Sequence, residues 1–174
     1  MNKKNIPIVS VVMGSDSDLP IMQEALNILD AFGIPKELYL TSAHRAPGRT
    51  AAFAGGAAKR GVRIIIAGAG AAAHLAGVIA SQTTLPVIGV PIEASPLGGL
   101  DALLSTVQMP GGIPVATMAI GKAGAKNAAL MAARILALSD EVLSKKLDDY
   151  IEDMARDVEK KGKTLCRNSQ GRKS

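Results

Sequence analysis

The stretch V-V-M-G-S-D-S-D-L-P, residues 11–20, changes character at Gly14. An apolar run over residues 6–13 ends there, and a short polar loop leads into a segment with helical spacing. A strand, a tight glycine turn and a helix start are typical of a βα unit whose helix N-terminus binds a phosphate. Asp16 and Asp18 also lie in this loop, although carboxylates repel an anion. The stretch therefore predicts an α/β fold and leaves the nature of its ligand open.

The rest of the chain repeats this alternation of short apolar runs and helical patterns. Strands are predicted near residues 6–13, 37–41, 63–67, 86–90 and 115–120, and helices near 18–32, 48–60, 72–82, 98–107 and 122–138. The runs I-I-I-A and V-I-G-V of the third and fourth strands are apolar throughout, as in strands that are covered on both faces. We therefore predict a three-layer α/β/α sandwich with a flavodoxin-like, parallel five-stranded sheet of order 2-1-3-4-5.

An extra C-terminal helix is predicted after residue 140, ending near residue 161. Leu143, Leu147, Ile151 and Met154 form one apolar stripe on it, which we expect to pack on the body of the protein or on another subunit. Residues 1–160 are predicted to form a single catalytic domain. Residues 161–174 are basic and are predicted to form a disordered tail.

The composition excludes several classes of function. The net charge is +5 over 174 residues, but residues 160–174 carry six basic and no acidic side chains, so residues 1–159 sum to −1. A nearly neutral body and only four aromatic side chains argue against nucleic acid as a partner and offer little surface for stacking a flavin. One cysteine forms no disulfide framework, and no signal peptide or membrane span is apparent, so a cytoplasmic location is expected.

The unusual polar residues collect in three loops. In open parallel sheets, ligands bind beyond the carboxyl ends of the strands, where the strand order reverses. The loops after strands 1, 2 and 3 meet there, and they read G14-S-D-S-D18, S42-A-H-R45 and G68-A-G70 leading to His74. Both histidines of the chain lie in this set. Their convergence predicts a binding or catalytic site.

Each loop also has a simpler interpretation. Ser15, Ser17 and Asp18 are suitable helix caps, so the first loop alone names no ligand. Arg45 can donate two parallel hydrogen bonds to a phosphate, and the imidazole of His44 can exchange a proton near neutral pH. A capping or core histidine beside a surface arginine is the alternative. His74 lies in an apolar helix start, and a structural or interface role is favoured for it.

Other chemistries fit the sequence less well. Two histidines in separate loops and one distant cysteine form no recognisable metal-ligand set, so no metal site is predicted. A serine hydrolase would need a G-x-S-x-G elbow, which is absent from the sequence. The glycine-rich third loop matches a dinucleotide fingerprint poorly.

Long motifs give the chain a clear resemblance to a known family. They are V-V-M-G-S-D-S-D, S-A-H-R-A-P, I-I-A-G-A-G-A-A-A-H-L, V-I-G-V-P, Q-M-P-G-G-I-P-V-A-T and A-I-G-K-A-G-A-K-N-A-A-L-M-A-A-R-I-L. On these motifs the chain resembles the PurE family of purine biosynthesis from the first strand to about residue 139. The resemblance implies a mutase that moves a carboxylate from N5 to C4 of an aminoimidazole ribonucleotide. It also implies a homo-octamer with active sites at subunit contacts, and neither cofactor nor metal.

The resemblance also implies roles for individual residues. Ser15, Ser42 and Arg45 would hold the phosphate, Asp18 would bind the ribose hydroxyls, and His44 would be the general acid and base. The wall around the base and the migrating carboxylate would consist of Ala69, Gly70 and Leu75. The chain departs from the common family pattern at Ala71, where glycine is usual, and at Ala76, where a proline is common.

Three alternatives remain at this point. The carboxylase branch of the family fixes carbon dioxide directly onto the ribonucleotide, but it tends to have lysine after the histidine, where this chain has Arg45. A non-catalytic nucleotide-binding module would explain the phosphate loop and leave His44 without a role. A flavin-binding protein is disfavoured by the scarcity of aromatic residues.

Overall fold

The computed structural model describes residues 6–170, and side chains as far as residue 166. The chain divides into two compact units, with the boundary between Ala133 and Arg134, and each is described by itself. The single catalytic domain expected over residues 1–160 stays a prediction.

The first unit is built on five strands and the helices that connect them. The strands are β1 (Val9–Met13), β2 (Lys36–Leu40), β3 (Ile64–Gly70), β4 (Val87–Ile92) and β5 (Ala116–Thr117). The helices are α1 (Leu19–Phe32), α2 (Pro47–Ala57), α3 (Leu75–Ala80), α4 (Leu100–Val107) and α5 (Gly121–Ala137), the last of which continues past the unit boundary. Short 3-10 turns cover Asp16–Asp18 and Ala58–Arg60.

All neighbouring strands of the sheet are parallel, and their order is β2-β1-β3-β4-β5. Val9 pairs with Lys36 on one side and with Ile64 on the other, so that β1 lies between β2 and β3. The predicted fold class and strand order are thus confirmed. The register brings the carboxyl ends of β1, β2 and β3 to one edge of the sheet, where the three polar loops begin.

Side chains alternate between the two faces of the sheet, and each face has its own helices. On one face, Ile65 and Ala67 join a buried cluster with Phe53 of α2 and Leu75 of α3. On the other face, the backbone at Gly68 approaches Met22 of α1 so closely that a Cβ would lie 2.4 Å from its sulfur. Because both faces are covered, all residues of β1 and β4 are buried, as their continuous apolar runs predict.

The lengths of several strands differ from the sequence prediction, and β3 and β5 show the cause most clearly. β3 continues through Gly70, so G68-A-G70 is the end of a strand rather than a loop. Hydrogen-bonded pairing with β4 persists as far as Gly70 opposite Ile92, and this pairing keeps the glycine-rich segment extended. β5 contains only Ala116 and Thr117, because its pairing with β4 is confined to Ile88 and Gly89.

The second unit contains α6 (Glu141–Gln170), the predicted C-terminal helix. Leu143 and Leu147 are buried, whereas Ile151 and Met154 are about half exposed. The helix ends nine residues later than predicted, so residues 161–170 are helical and the expectation of a disordered tail is wrong for them. The basic composition of the segment predicted disorder, whereas the helix continues through it from the preceding turns. Residues 171–174 of the predicted tail lie outside the described residues.

Candidate active site

The loop after β1 forms a capping box. Ser15 accepts a hydrogen bond from the backbone N–H of Ser17, and the Asp18 carboxylate accepts one from the backbone N–H of Ser15 at 3.0 Å. Asp16 remains exposed and accepts bonds from the Ser15 hydroxyl and the Ser17 N–H. These contacts fix the loop in place at the start of α1, so the capping interpretation describes its local structure.

Asp18 is the buried acid of this loop, with 5% of its surface exposed. Burial raises the pKa of its carboxyl above the ordinary value of 3.8, and the nearby charge of Asp16 adds to the rise. Backbone N–H groups of Ser15 and Gly14 and the charge of Arg45 act in the opposite direction. Asp18 is thus held by its own loop while it faces the cavity described below.

The S-A-H-R loop reaches across to the first loop through Arg45. The guanidinium donates to the carbonyl oxygen of Gly14 at 3.0 Å, and its Nε lies 3.5 Å from the Ser42 hydroxyl. The Ser42 hydroxyl also accepts from the backbone N–H of Arg45 at 3.2 Å. The exposed guanidinium therefore lies at the junction of the loops after β1 and β2, where it can meet an anion.

The two histidines of the chain are in direct contact. Nε2 of His44 lies 2.8 Å from Nδ1 of His74, and the rings meet edge to face with their centroids 5.0 Å apart. One ring must donate and the other must accept in this bond, so the pair shares one bridging proton. The structural or interface role favoured for His74 overlooked this contact. The signal available in the sequence was that both histidines follow strands whose ends meet at one edge.

The loops after β1 and β2 and the end of β3, with the turn that follows it, line a cavity of about 300 Å³. It is lined by Gly14, Ser15, Ser17, Asp18, Ser42, Ala43, His44, Arg45, Ala69, Gly70, Ala72, Leu75 and Ala94. All eight residues that the sequence assigned to the site are in this set, and none is placed elsewhere. Polar side chains come from the loops after β1 and β2, whereas the end of β3 and the segments that follow β3 and β4 supply small or apolar residues. The other five lining residues, Gly14, Ser17, Ala43, Ala72 and Ala94, were not among those eight.

The turn after β3 contains a backbone conformation that glycine would favour. Ala71 has a φ of 52°, and among the residues that the structure describes it is the only one other than glycine with a positive φ. A non-glycine residue in this region is uncommon and carries strain, which concentrates at functional sites. The departure from the family pattern therefore places an alanine where the backbone conformation favours glycine.

Comparison with known proteins places this site in a family. The model of the AIR carboxylase family matches residues 8–157. The chain belongs to the AIR carboxylase family. Over 163 residues it is 57% identical to N5-carboxyaminoimidazole ribonucleotide mutase of Pyrococcus horikoshii, covering 94% of this chain and 91% of the relative. It is 52% identical to the mutase of Thermotoga maritima over 160 residues, covering 92% of each.

A solved structure agrees with the family assignment. PurE of Treponema denticola superposes with a TM-score of 0.81 at 28% identity, covering 91% of this chain and 98% of that one. The resemblance inferred from the motifs is therefore confirmed, and the AIR carboxylase family accounts for the fold as well as the sequence. The cavity at the ends of β1, β2 and β3 is where a sheet of this order binds its ligand.

The described part of the AIR carboxylase chain contains neither a metal-ligand cluster nor a membrane-spanning helix. Across residues 6–166, no group of three or more His, Cys, Asp or Glu side chains is arranged to hold a metal ion. None of the helices in the described part of the chain combines the length and apolar character that a bilayer span requires.

Proposed function

We propose that this protein is an N5-carboxyaminoimidazole ribonucleotide mutase of de novo purine biosynthesis. The observation that carries the proposal is the cavity, whose lining combines His44 with polar side chains from two loops and with small or apolar residues from the end of β3 and the segments after β3 and β4. The mutases of the family, at 52–57% identity over most of this chain, support the assignment. The substrate would be converted to 4-carboxyaminoimidazole ribonucleotide.

The polar part of the cavity suits a ribose phosphate. Arg45 supplies a cationic fork, and the hydroxyls of Ser15 and Ser42 supply further hydrogen bonds to phosphate oxygens. Asp18 would accept hydrogen bonds from the ribose hydroxyls. Its carboxylate would stay away from the phosphate, because two negative charges repel each other. The base would lie against Ala69, Gly70 and Leu75, whose small or apolar surfaces admit a flat ring.

The reaction needs one proton donor that later becomes an acceptor. Protonation of N5 by His44 turns the carbamate nitrogen into a leaving group, the N5–carboxyl bond breaks, and its electron pair stays on N5 as carbon dioxide is released. The electron-rich C4 of the ring then attacks the carbon of carbon dioxide and forms a new carbon–carbon bond. Neutral His44 removes the proton from C4, which restores the aromatic ring and returns the histidine to its starting state.

His74 would support this exchange by holding the His44 ring. A 2.8 Å bond between Nε2 of His44 and Nδ1 of His74 limits the orientations of the catalytic imidazole and gives its proton a defined partner. The steps above conserve protons, and they call on no group other than one imidazole. We therefore assign His44 the catalytic role and His74 a positioning role.

The same proposal includes the assembly and setting of the enzyme. A homo-octamer with active sites at subunit contacts would cover the open side of the cavity, and the substrate would be the small-molecule partner. Neither nucleic acid nor a membrane is part of the proposed function, and the cytoplasm is the proposed location.

Replacement of His44 by asparagine tests the proposal. His44→Asn preserves a polar side chain of similar size, so calorimetry should show product binding within a few-fold of the wild-type affinity. Conversion of N5-carboxyaminoimidazole ribonucleotide should fall by at least about a hundredfold, the usual contribution of a general acid and base. His74→Asn is the matched variant, and it should retain more activity because His44 itself remains. Wild-type turnover in His44→Asn would rule out the assigned role.

A further inference from the structure

The segment after β4 contributes one residue to the cavity that the proposed function does not use. Ala94 lies two residues beyond the end of β4, and its exposed side chain lines the cavity together with residues of β3 and the turn that follows. Its position in sequence, in E93-A-S-P-L, gives no hint of a binding role. Only the parallel pairing of β3 with β4 brings it to the site.

Ala94 packs directly against Gly70. A Cβ placed on Gly70 would lie 2.4 Å from the Cβ of Ala94 and 3.0 Å from the carbonyl oxygen of Ile92. The Ala94 methyl therefore occupies the space in which a side chain at position 70 would stand. The two residues together form a closed seam between the ends of β3 and β4, which lie opposite each other at Gly70 and Ile92.

This seam belongs to the apolar part of the cavity lining. Ala69, Gly70, Ala72, Leu75 and Ala94 carry no charge and no side-chain hydrogen-bond donor. Such a wall suits carbon dioxide, which is neutral and small. Water would convert carbon dioxide to bicarbonate and remove it from the reaction, so a wall that leaves little room for water favours capture.

We propose that Ala94 is a specificity-determining residue, whose methyl group closes the seam with Gly70 and sets the size of the compartment that holds carbon dioxide between cleavage and capture. This inference rests on the proposed mutase function and deepens it. A smaller residue at position 94 opens the seam and lets carbon dioxide escape. A larger residue fills space that the ring or its carboxylate requires.

Isotope exchange measures the escape directly. Unlabelled N5-carboxyaminoimidazole ribonucleotide is converted in the presence of ¹⁴C-bicarbonate and carbonic anhydrase, and the label in the 4-carboxy product is counted. The wild-type protein should incorporate little label, because captured carbon dioxide comes from the same substrate molecule. Ala94→Gly should incorporate several-fold more label per turnover.

Steady-state kinetics measure the opposite change. Ala94→Val adds two methyl groups to the wall, and kcat/KM should fall by about tenfold or more, as expected for added bulk in a close-fitting site. Leu97→Ala is the matched control, since Leu97 is in the same segment, is 66% exposed and is outside the cavity lining. Its label incorporation and kcat/KM should equal those of the wild type.

The possible outcomes distinguish a failure of the role assigned to Ala94 from a failure of the proposed mutase function. A wild-type protein that does not convert the substrate would contradict the mutase function itself. A wild-type protein that turns over, with Ala94→Gly and Ala94→Val both matching it in label incorporation and kcat/KM, would overturn the role of Ala94 alone.

Discussion

At the scale of single residues, the carboxylate of Asp18 has both a structural role and a place in the cavity lining. It closes the capping box that fixes the loop after β1, and it lines the cavity with 5% of its surface exposed. Burial favours its neutral form, whereas the N–H groups of Ser15 and Gly14 favour the charged form, and the balance raises its pKa. A buried acid of this kind makes the stability of the fold depend on pH.

The sign of this dependence follows from linkage. Because the pKa of Asp18 is higher in the folded than in the unfolded state, the folded protein binds the proton more tightly. The contribution of Asp18 to the free energy of unfolding is fully present below the ordinary pKa of 3.8 and is lost as the pH rises through the folded pKa. Asp18→Asn keeps an acceptor oxygen for the Ser15 N–H but does not titrate.

We therefore expect the free energy of unfolding of the wild type, minus that of Asp18→Asn, to decrease as the pH rises from below 3.8 and to level off towards neutrality. Urea unfolding of both proteins across this pH range provides the measurement. Asp157→Asn, at an exposed acid outside this loop, is the matched control. A difference that increases with pH would contradict the described environment of Asp18.

The predicted residues could be placed at one cavity from the sequence because their types and loop positions are local information. Ser15, Ser42, His44 and Arg45 all follow strands with clear apolar runs. The contact between His44 and His74 could not be read in this way, because it joins loops 30 residues apart through side-chain geometry. Ala94 was missed for a related reason, since an alanine carries no chemical signal and acts only through its place against Gly70.

At the scale of elements, two glycines in helices have opposite roles. A Cβ at Gly124 of α5 would lie 1.6 Å from the carbonyl oxygen of Ala119, which belongs to the segment before the helix. A Cβ at Gly55 of α2 would have no atom within 4 Å. Gly124 is thus required by a close backbone approach, whereas Gly55 weakens its helix without a compensating contact.

Alanine at each position should therefore change stability in opposite directions. Gly124→Ala should lower the free energy of unfolding by about 2–3 kcal/mol, because the backbone must shift to admit the methyl group. Gly55→Ala should raise it by about 0.5–1 kcal/mol through helix propensity. Chemical denaturation compares the two with the wild type. Equal effects at both positions would show that the approach of Ala119 to α5 is absent.

Strand existence was predictable from apolar runs, but strand length was not. β3 extends three residues past its predicted end because pairing with β4 continues to Gly70, and β5 is shortened to two residues by the limits of its own pairing. Both effects arise between strands, and a single strand's sequence does not contain them. α6 differs from its prediction as well, because the helix continues well beyond its apolar stripe, which ends at Met154.

At the scale of the whole molecule, the order of strands decides where chemistry can occur. The alternation of strands and helices with short connections was sufficient to predict the sheet order 2-1-3-4-5. That order brings the ends of β1, β2 and β3 together, and with them the polar loops and the cavity. The division of the chain between Ala133 and Arg134 was not predictable, since no change of composition marks it.

The two aspartates of the opening stretch are compatible with an anionic substrate at this scale. Asp16 stays exposed on its own loop, and Asp18 is buried within the capping box. The positive charge is that of Arg45, in the loop after β2, whose guanidinium donates a hydrogen bond to the carbonyl oxygen of Gly14. The proposed phosphate site would therefore be assembled from two loops, neither of which identifies it alone.

The central claim is that this cavity isomerises a carboxylated ribonucleotide, and the most direct test supplies each candidate substrate to the wild-type protein without ATP. N5-carboxyaminoimidazole ribonucleotide should be converted rapidly to the 4-carboxy product. Unsubstituted aminoimidazole ribonucleotide with bicarbonate should react far more slowly. Rapid turnover of only the unsubstituted ribonucleotide with bicarbonate would contradict the account and identify a carboxylase.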